Sequence, residues 1–144
     1  FHEVFDNPNL KTPIIPDRMR CDLRIDLLQE ELNELKKAIE DNDIVEVADA
    51  LCDIQYVLSG AVLEFGMGEK FAELFEEVHR SNMSKACNSR VEAQETVEFY
   101  ALKGEEAYYK KTDDKYLIYR LSDNKTLKPI NYSPAYLVNI LSQD

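Results

Sequence analysis

Between Arg18 and Glu40 the apolar residues Leu23, Leu27, Leu28, Leu32, Leu35 and Ile39 return at three- and four-residue steps. That spacing predicts an amphipathic helix with one apolar stripe. Asp41-Asn42-Asp43 interrupts it, and Asp43 can cap a second helix, with Glu46 in the capping-box place. From Ile44 to Phe65 the pattern changes. Val45, Val47, Ala48, Ala50, Leu51, Ile54, Val57, Leu58, Ala61, Val62 and Leu63 spread around most of the circumference, as in a helix buried on nearly all sides. Gly66-Met67-Gly68 ends it. A third helix is expected over Glu69–Ser81, with Phe71, Leu74, Phe75 and Val78 inward. Ahead of these, residues 7–17 hold three prolines and read as an extended connector, and residues 1–6 as the tail of a helix.

Beyond residue 86 the pattern is shorter in range. Ser89 and Glu92 form an S-x-x-E capping box that opens a helix to Lys103, closed by Gly104. The period then falls to two. Tyr108–Lys111, Tyr116–Leu121 and Thr126–Ile130 read as strands of a meander, with turns at Asp113-Asp114 and Ser122–Lys125. Ser133-Pro134 marks the start of a last helix to Leu141. The expectation is a mainly α protein: a helical domain over residues 1–86, and a small C-terminal α+β appendage over 87–144, with helix, short β meander and short helix packed on the same domain. The tyrosines Tyr108, Tyr109, Tyr116, Tyr119, Tyr132 and Tyr136 fit sheet packing better than base stacking.

Charge narrows the function. The 144-residue chain carries 28 acids against 17 bases, a net charge of −11. Residues 1–86 hold 19 acids and 9 bases, so the acidity belongs to the helical part. A general nucleic-acid surface is disfavoured, because phosphate backbones require a basic footprint. No apolar stretch approaches the roughly 18–20 residues of a membrane span, and no signal-peptide pattern is present. Three widely spaced cysteines, Cys21, Cys52 and Cys87, with no CxxC, read as reduced thiols. A cytoplasmic protein without membrane partners is expected.

The acids are not scattered. At 100° per residue, Glu30, Glu31 and Glu34 can converge on one side of the first helix, and Glu46, Asp49 and Asp53 fall within a wedge of about 60° on the second. Between Lys37 and Lys70 there is no Lys or Arg to neutralise that wedge. Carboxylates in an apolar setting are neutralised, paired or bound to metal. Facing helices that each supply carboxylates make an oxygen cage suited to Mg²⁺ or Mn²⁺. Individually, Glu46 could serve only the cap, and Glu30 or Glu31 could face solvent.

The pair Glu31-Leu-Asn-Glu34 and Glu46-Val-Ala-Asp49, with Glu30 as an extra acid before the first, resembles the MazG-like all-α nucleoside triphosphate pyrophosphohydrolases, kin of dimeric dUTPases and of phosphoribosyl-ATP pyrophosphohydrolase. LLQEELNEL, EVADALCDIQYVLSGAVLEFGM and EEVHRSNMSK carry the likeness over residues 1–86, and NYSP at 131–134 looks like the tail of one branch. The resemblance implies a MazG-like four-helix bundle completed by dimerisation, a homodimer or homotetramer. It implies hydrolysis of a nucleoside triphosphate between the α- and β-phosphates, as nucleotide-pool housecleaning. Glu31, Glu34, Glu46 and Asp49 would hold Mg²⁺, and Glu30 or Glu31 would bind a second metal or activate water. Lys85, Asn82 and Arg80 would meet phosphate or sugar, and Arg24 and Asp53 complete the expected substrate set. Only eleven residues separate Glu34 from Glu46, so contacts made by a longer inter-helix loop in relatives are missing. Three alternatives remain open at this point. One is phosphoribosyl-ATP hydrolysis. Another is a di-iron carboxylate bundle using Glu76, Glu77 and His79. The third is a non-catalytic nucleotide sensor. A lone His2 beside Phe1 could touch a base, although such a histidine is more often a satisfied core group.

Overall fold

The computed structural model describes residues 1–142. Its elements are α1 (Arg18–Glu40), α2 (Ile44–Glu64), α3 (Phe71–Met83), β1 (Ala86–Cys87), α4 (Arg90–Leu102), β2 (Ala107–Thr112), β3 (Lys115–Arg120) and α5 (Leu137–Leu141). Mainly α is therefore right, and no helix among the described residues is long and apolar enough to cross a membrane. Two compact units are formed, residues 1–72 and 73–144. α3 goes almost wholly with the second unit.

In the first unit α1 and α2 pack as an antiparallel pair across the short loop at 41–43. Asp17 caps α1 through the Arg20 N–H, and Asp43 caps α2 through the N–H groups of Val45 and Glu46. The connector is not a free linker. Leu10 N–H donates to Leu63 O at 3.0 Å and Ile14 N–H to Phe65 O at 3.1 Å. It thus satisfies carbonyls that the end of a helix leaves without intrahelical partners. Residues 1–6 form a turn, closed by Phe5 N–H to Phe1 O and Asn7 N–H to His2 O.

At the seam lies Glu64, fully buried, and both Arg20 and Arg24 donate to it. Burial would push this carboxyl up. The hydrogen bonds and charges of the two guanidiniums outweigh burial and hold it below the ordinary range. One expectation fails here. Within a single chain α2 is not buried on nearly all sides: Ile44 is 76%, Val45 70% and Leu51 52% exposed. One partner helix can cover only one side of a helix that is apolar around most of its circumference.

The second unit is built on an antiparallel sheet of order β1-β3-β2. Its core is Cys87, Ala93, Ile118 and Leu127, flanked by Val97, Tyr100, Tyr109 and Tyr116. The Ser89 cap forms as expected, with Glu92 N–H donating to Ser89 Oγ at 3.1 Å. Glu92 returns its carboxylate to the Asn88 N–H, one residue earlier than a strict capping box. Two expectations are corrected. Thr126–Ile130 makes only a single bridge, Tyr119 to Thr126, because Pro129 has no N–H and Ile130 N–H donates to Thr96 Oγ1. The third strand is instead Ala86–Cys87, too short to leave a periodic signal. Nor does the last helix start at Pro134. Ser133 is already committed, since its N–H donates to Ser84 Oγ and its hydroxyl accepts from Arg80, so α5 begins only at Leu137.

Gly66 has a positive φ of 70°, and a Cβ there would lie 1.9 Å from Thr12 O on the docked connector. Gly66→Ala is expected to cost at least about 2 kcal/mol, read as a lower midpoint in chemical denaturation. A midpoint unchanged within error would show that the connector does not dock there.

Candidate active site

Glu34 on α1 meets Glu46 and Asp49 on α2 in a cleft of about 410 Å³, also lined by Lys37 and Asp41. The cap does not consume Glu46: the Asp43 N–H donates to Ala38 O rather than to the Glu46 carboxylate. Lys37, the only cation lining the cleft, is tied to Asp41. One turn further along the seam sits Glu31, half-buried, opposite Asp53. Its carboxyl is pushed up, first by burial and then by the charges of Asp53, Glu34, Glu30 and Asp49. Four other carboxylates, from both helices, therefore act on Glu31, and no positive group offsets them. Glu30 itself is exposed, at the rim of a shallow groove shared with Asp26, Asn33 and Glu34.

Among the described residues no three His, Cys, Asp or Glu side chains are already drawn into a metal-ligand set. The donor chemistry nonetheless fits a hard divalent cation: all oxygen, anionic, from facing helices, and mutually repelling. A cation there would relieve the repulsion that raises Glu31.

The remaining site residues from the sequence reading fall in two places. Arg24 does not sit among the carboxylates. It is buried against Glu64, with its Nη2 3.4 Å from His2 Nε2. Arg80, Asn82 and Lys85 belong to the second unit. Arg80 binds both oxygens of Glu77, the Ser133 hydroxyl and Pro134 O. Lys85 Nζ donates to Asn82 Oδ1 at 2.8 Å. Glu77 is held at a pKa of about 2 by Arg80 and by the Tyr136 N–H. This acid of the di-iron alternative is thus engaged in fixing the 133–136 segment. Glu64 went unnoticed in the sequence. Its only signal was an acid at the apolar end of α2 with Arg20 and Arg24 spaced one turn apart on α1.

The phosphoribosyl-ATP pyrophosphohydrolase family model matches residues 1–82, the stretch that holds all of these carboxylates. The chain belongs to that family, part of the MazG-like superfamily. It is also similar to an uncharacterised protein of Acanthamoeba polyphaga mimivirus, 36% identical over 113 residues, covering 72% of this chain and 43% of the relative. The chain thus spans less than half the length of that curated relative.

The raised Glu31 carboxyl gives a sign for pH. A folded-state pKa above the unfolded one means that stability falls as pH rises from the ordinary carboxylate value through the raised one. In chelator, Tm is expected to drop across that interval, and Glu31→Gln to flatten the drop and raise Tm near neutrality. Thermal denaturation at several pH values checks this; an equally steep drop in the variant would remove Glu31 as its origin.

Proposed function

We propose that this chain is a divalent-metal-dependent pyrophosphohydrolase acting on nucleoside triphosphates, deoxynucleotides among them, in nucleotide-pool housecleaning. The observation that carries the reading is the convergence of Glu31, Glu34, Glu46, Asp49 and Asp53 from α1 and α2 on one seam, with Glu31 raised by burial and by its neighbours' charges, inside the segment that matches the family. Glu31, Glu34, Glu46 and Asp49 would hold Mg²⁺, or Mn²⁺ in its place. The cation supplies charge neutralisation for a triphosphate that the bare cleft would repel. Asp53, beside Glu31, adds a further anionic oxygen to the set that the cation and its substrate would meet. Glu30, exposed at the rim, takes the proton as a water oxygen attacks the α-phosphorus and the bond to the bridging oxygen of the β-phosphate breaks. A nucleoside monophosphate and pyrophosphate leave. The chain's contribution is positioning and electrostatics, which is what phosphoryl transfer mainly requires. Within the second unit Lys85 and Asn82 remain the candidate phosphate or sugar ligands, and Arg80, already holding Glu77 and Ser133, shapes the segment beside them.

The exposed apolar residues of α1 and α2 support assembly. Leu32, Ile39, Ile44, Val45 and Leu51 leave a broad apolar surface on a helix pair. A second copy covering it would complete a four-helix bundle, as a homodimer or a pair of homodimers.

Pyrophosphate release from NTPs, dNTPs and phosphoribosyl-ATP with Mg²⁺ tests the chemistry. Release is expected from nucleoside triphosphates, and Glu46→Gln should lower kcat by at least about 100-fold. Release only from phosphoribosyl-ATP would move the assignment to that substrate. Binding without turnover on any of them would favour the sensor. Light scattering after gel filtration should give at least twice the 16.7 kDa chain mass, and Leu51→Asp should reduce it to one chain. A wild-type protein at 16.7 kDa would end the bundle-completion reading.

A further inference from the structure

The seam that carries the carboxylates continues. On α2 the stripe Asp49, Asp53, Tyr56, Gly60 steps by four, three and four residues. On α1 the opposing stripe Glu34, Glu31, Leu27, Arg24 steps back by three, four and three. Beyond the acids both stripes line a separate cavity of about 340 Å³. Its walls are mostly apolar, with Leu27, Tyr56 and Leu63 among them, and the amino-terminal turn closes one side with Phe1 and His2. Phe1 stands edge-on to Tyr56, with ring centroids 5.6 Å apart.

The cavity has a polar wall with an unmet need. Arg24, 8% exposed, lines it, and its enclosed Nε has no hydrogen-bond partner. His2 Nδ1 lies 2.7 Å from Pro8 O, which can only accept, so that nitrogen carries the proton. Nε2 is then the lone-pair side and faces Arg24 at 3.4 Å. Gly60 makes this arrangement possible. A Cβ there would lie 2.8 Å from both Arg24 Nη1 and His2 Nε2. A buried guanidinium on the wall of an apolar slot, beside an aromatic pair and helix walls, suits a flat ring bearing a carbonyl oxygen.

Seven residues of helix separate Asp53 from Gly60, and Glu31 from Arg24, about 10 Å of rise. That is the span of a sugar and its phosphate. We propose that this cavity receives the base of the nucleotide whose phosphates meet the carboxylates, and that Arg24, positioned by Glu64, His2 and Gly60, selects bases that present a keto oxygen. The inference rests on the pyrophosphohydrolase reading for its substrate, and its test separates the two.

Compare dITP with dATP, which differ in the 6-keto group, together with dUTP. KM for dITP and dUTP is expected at least fivefold below that for dATP. Gly60→Ala, which displaces Arg24 and His2, and Tyr56→Ala, which removes a wall from an exposed position, should each raise the dITP KM at least tenfold. The effect of either variant on kcat should be smaller. The rise of Tm with Mg²⁺, read without nucleotide, should stay as in the wild type. Separately, inosine and uridine without metal should shift the Gly60 amide and the Arg24 Nε–H resonances in NMR, and adenosine should not. Hydrolysis with equal KM values, insensitive to both variants, overturns the cavity assignment while leaving the enzyme. Nucleoside shifts at Gly60 with no hydrolysis of any nucleotide keep the cavity and overturn the enzyme. If Gly60→Ala does not fold, Tyr56→Ala and the NMR titration decide.

Discussion

Glu64 has no accessible surface, and its charge survives only because two arginines from the facing helix close on it. Breaking such a buried pair by removing one partner commonly costs about 3–5 kcal/mol, since the other charge is left stranded. The first unit is organised around this compensation. It fixes the register of α1 against α2, and it flattens Arg24 across Gly60. Through His2 it reaches the amino-terminal turn, which the connector then carries back to the last carbonyls of α2.

The other end of the same helix pair is built on the opposite principle. There the carboxylates face one another without arginine, and Glu31 is raised by burial and by four like charges. One helix pair thus holds a compensated acid at one end and an uncompensated cluster at the other. The compensated end ties α1 to α2 through Arg20, Arg24 and Glu64. Repulsion among Glu31, Glu34, Asp49 and Asp53 is then available to a ligand: whatever neutralises them gains the energy that folding left unrelieved. Between the two ends lies the apolar cavity, so charge, shape and apolar surface succeed one another along a single groove.

The second unit uses its charges differently. Arg80 and Glu77 saturate each other and the backbone of the NYSP segment, which ties α3 to residues 133–136. That bond set explains why an arginine read as a phosphate ligand is found occupied by structure. It also explains why Ser133, a good N-cap by sequence, caps nothing.

Helix periodicity and capping chemistry are local, and they were legible. The bounds of α1, the Asp43 and Ser89 caps and the β2–β3 hairpin follow from residues within a few positions of one another. The acid motifs were legible for the same reason, because three- and four-residue steps place Glu31 with Glu34, and Glu46 with Asp49, on one face before any fold is known. Pairing across distance was not. That Arg24 belongs to Glu64 and His2, that the proline-rich connector docks at Gly66, and that Ala86–Cys87 supplies the third strand all depend on partners more than twenty residues apart, or on a strand of two residues without a period. Tertiary structure also separated equal-looking acids. Glu64 and Asp53 stand on the same helix, yet only Glu64 lies within reach of arginines, and that proximity is set by how α1 folds back along α2 rather than by either residue's neighbours in the chain.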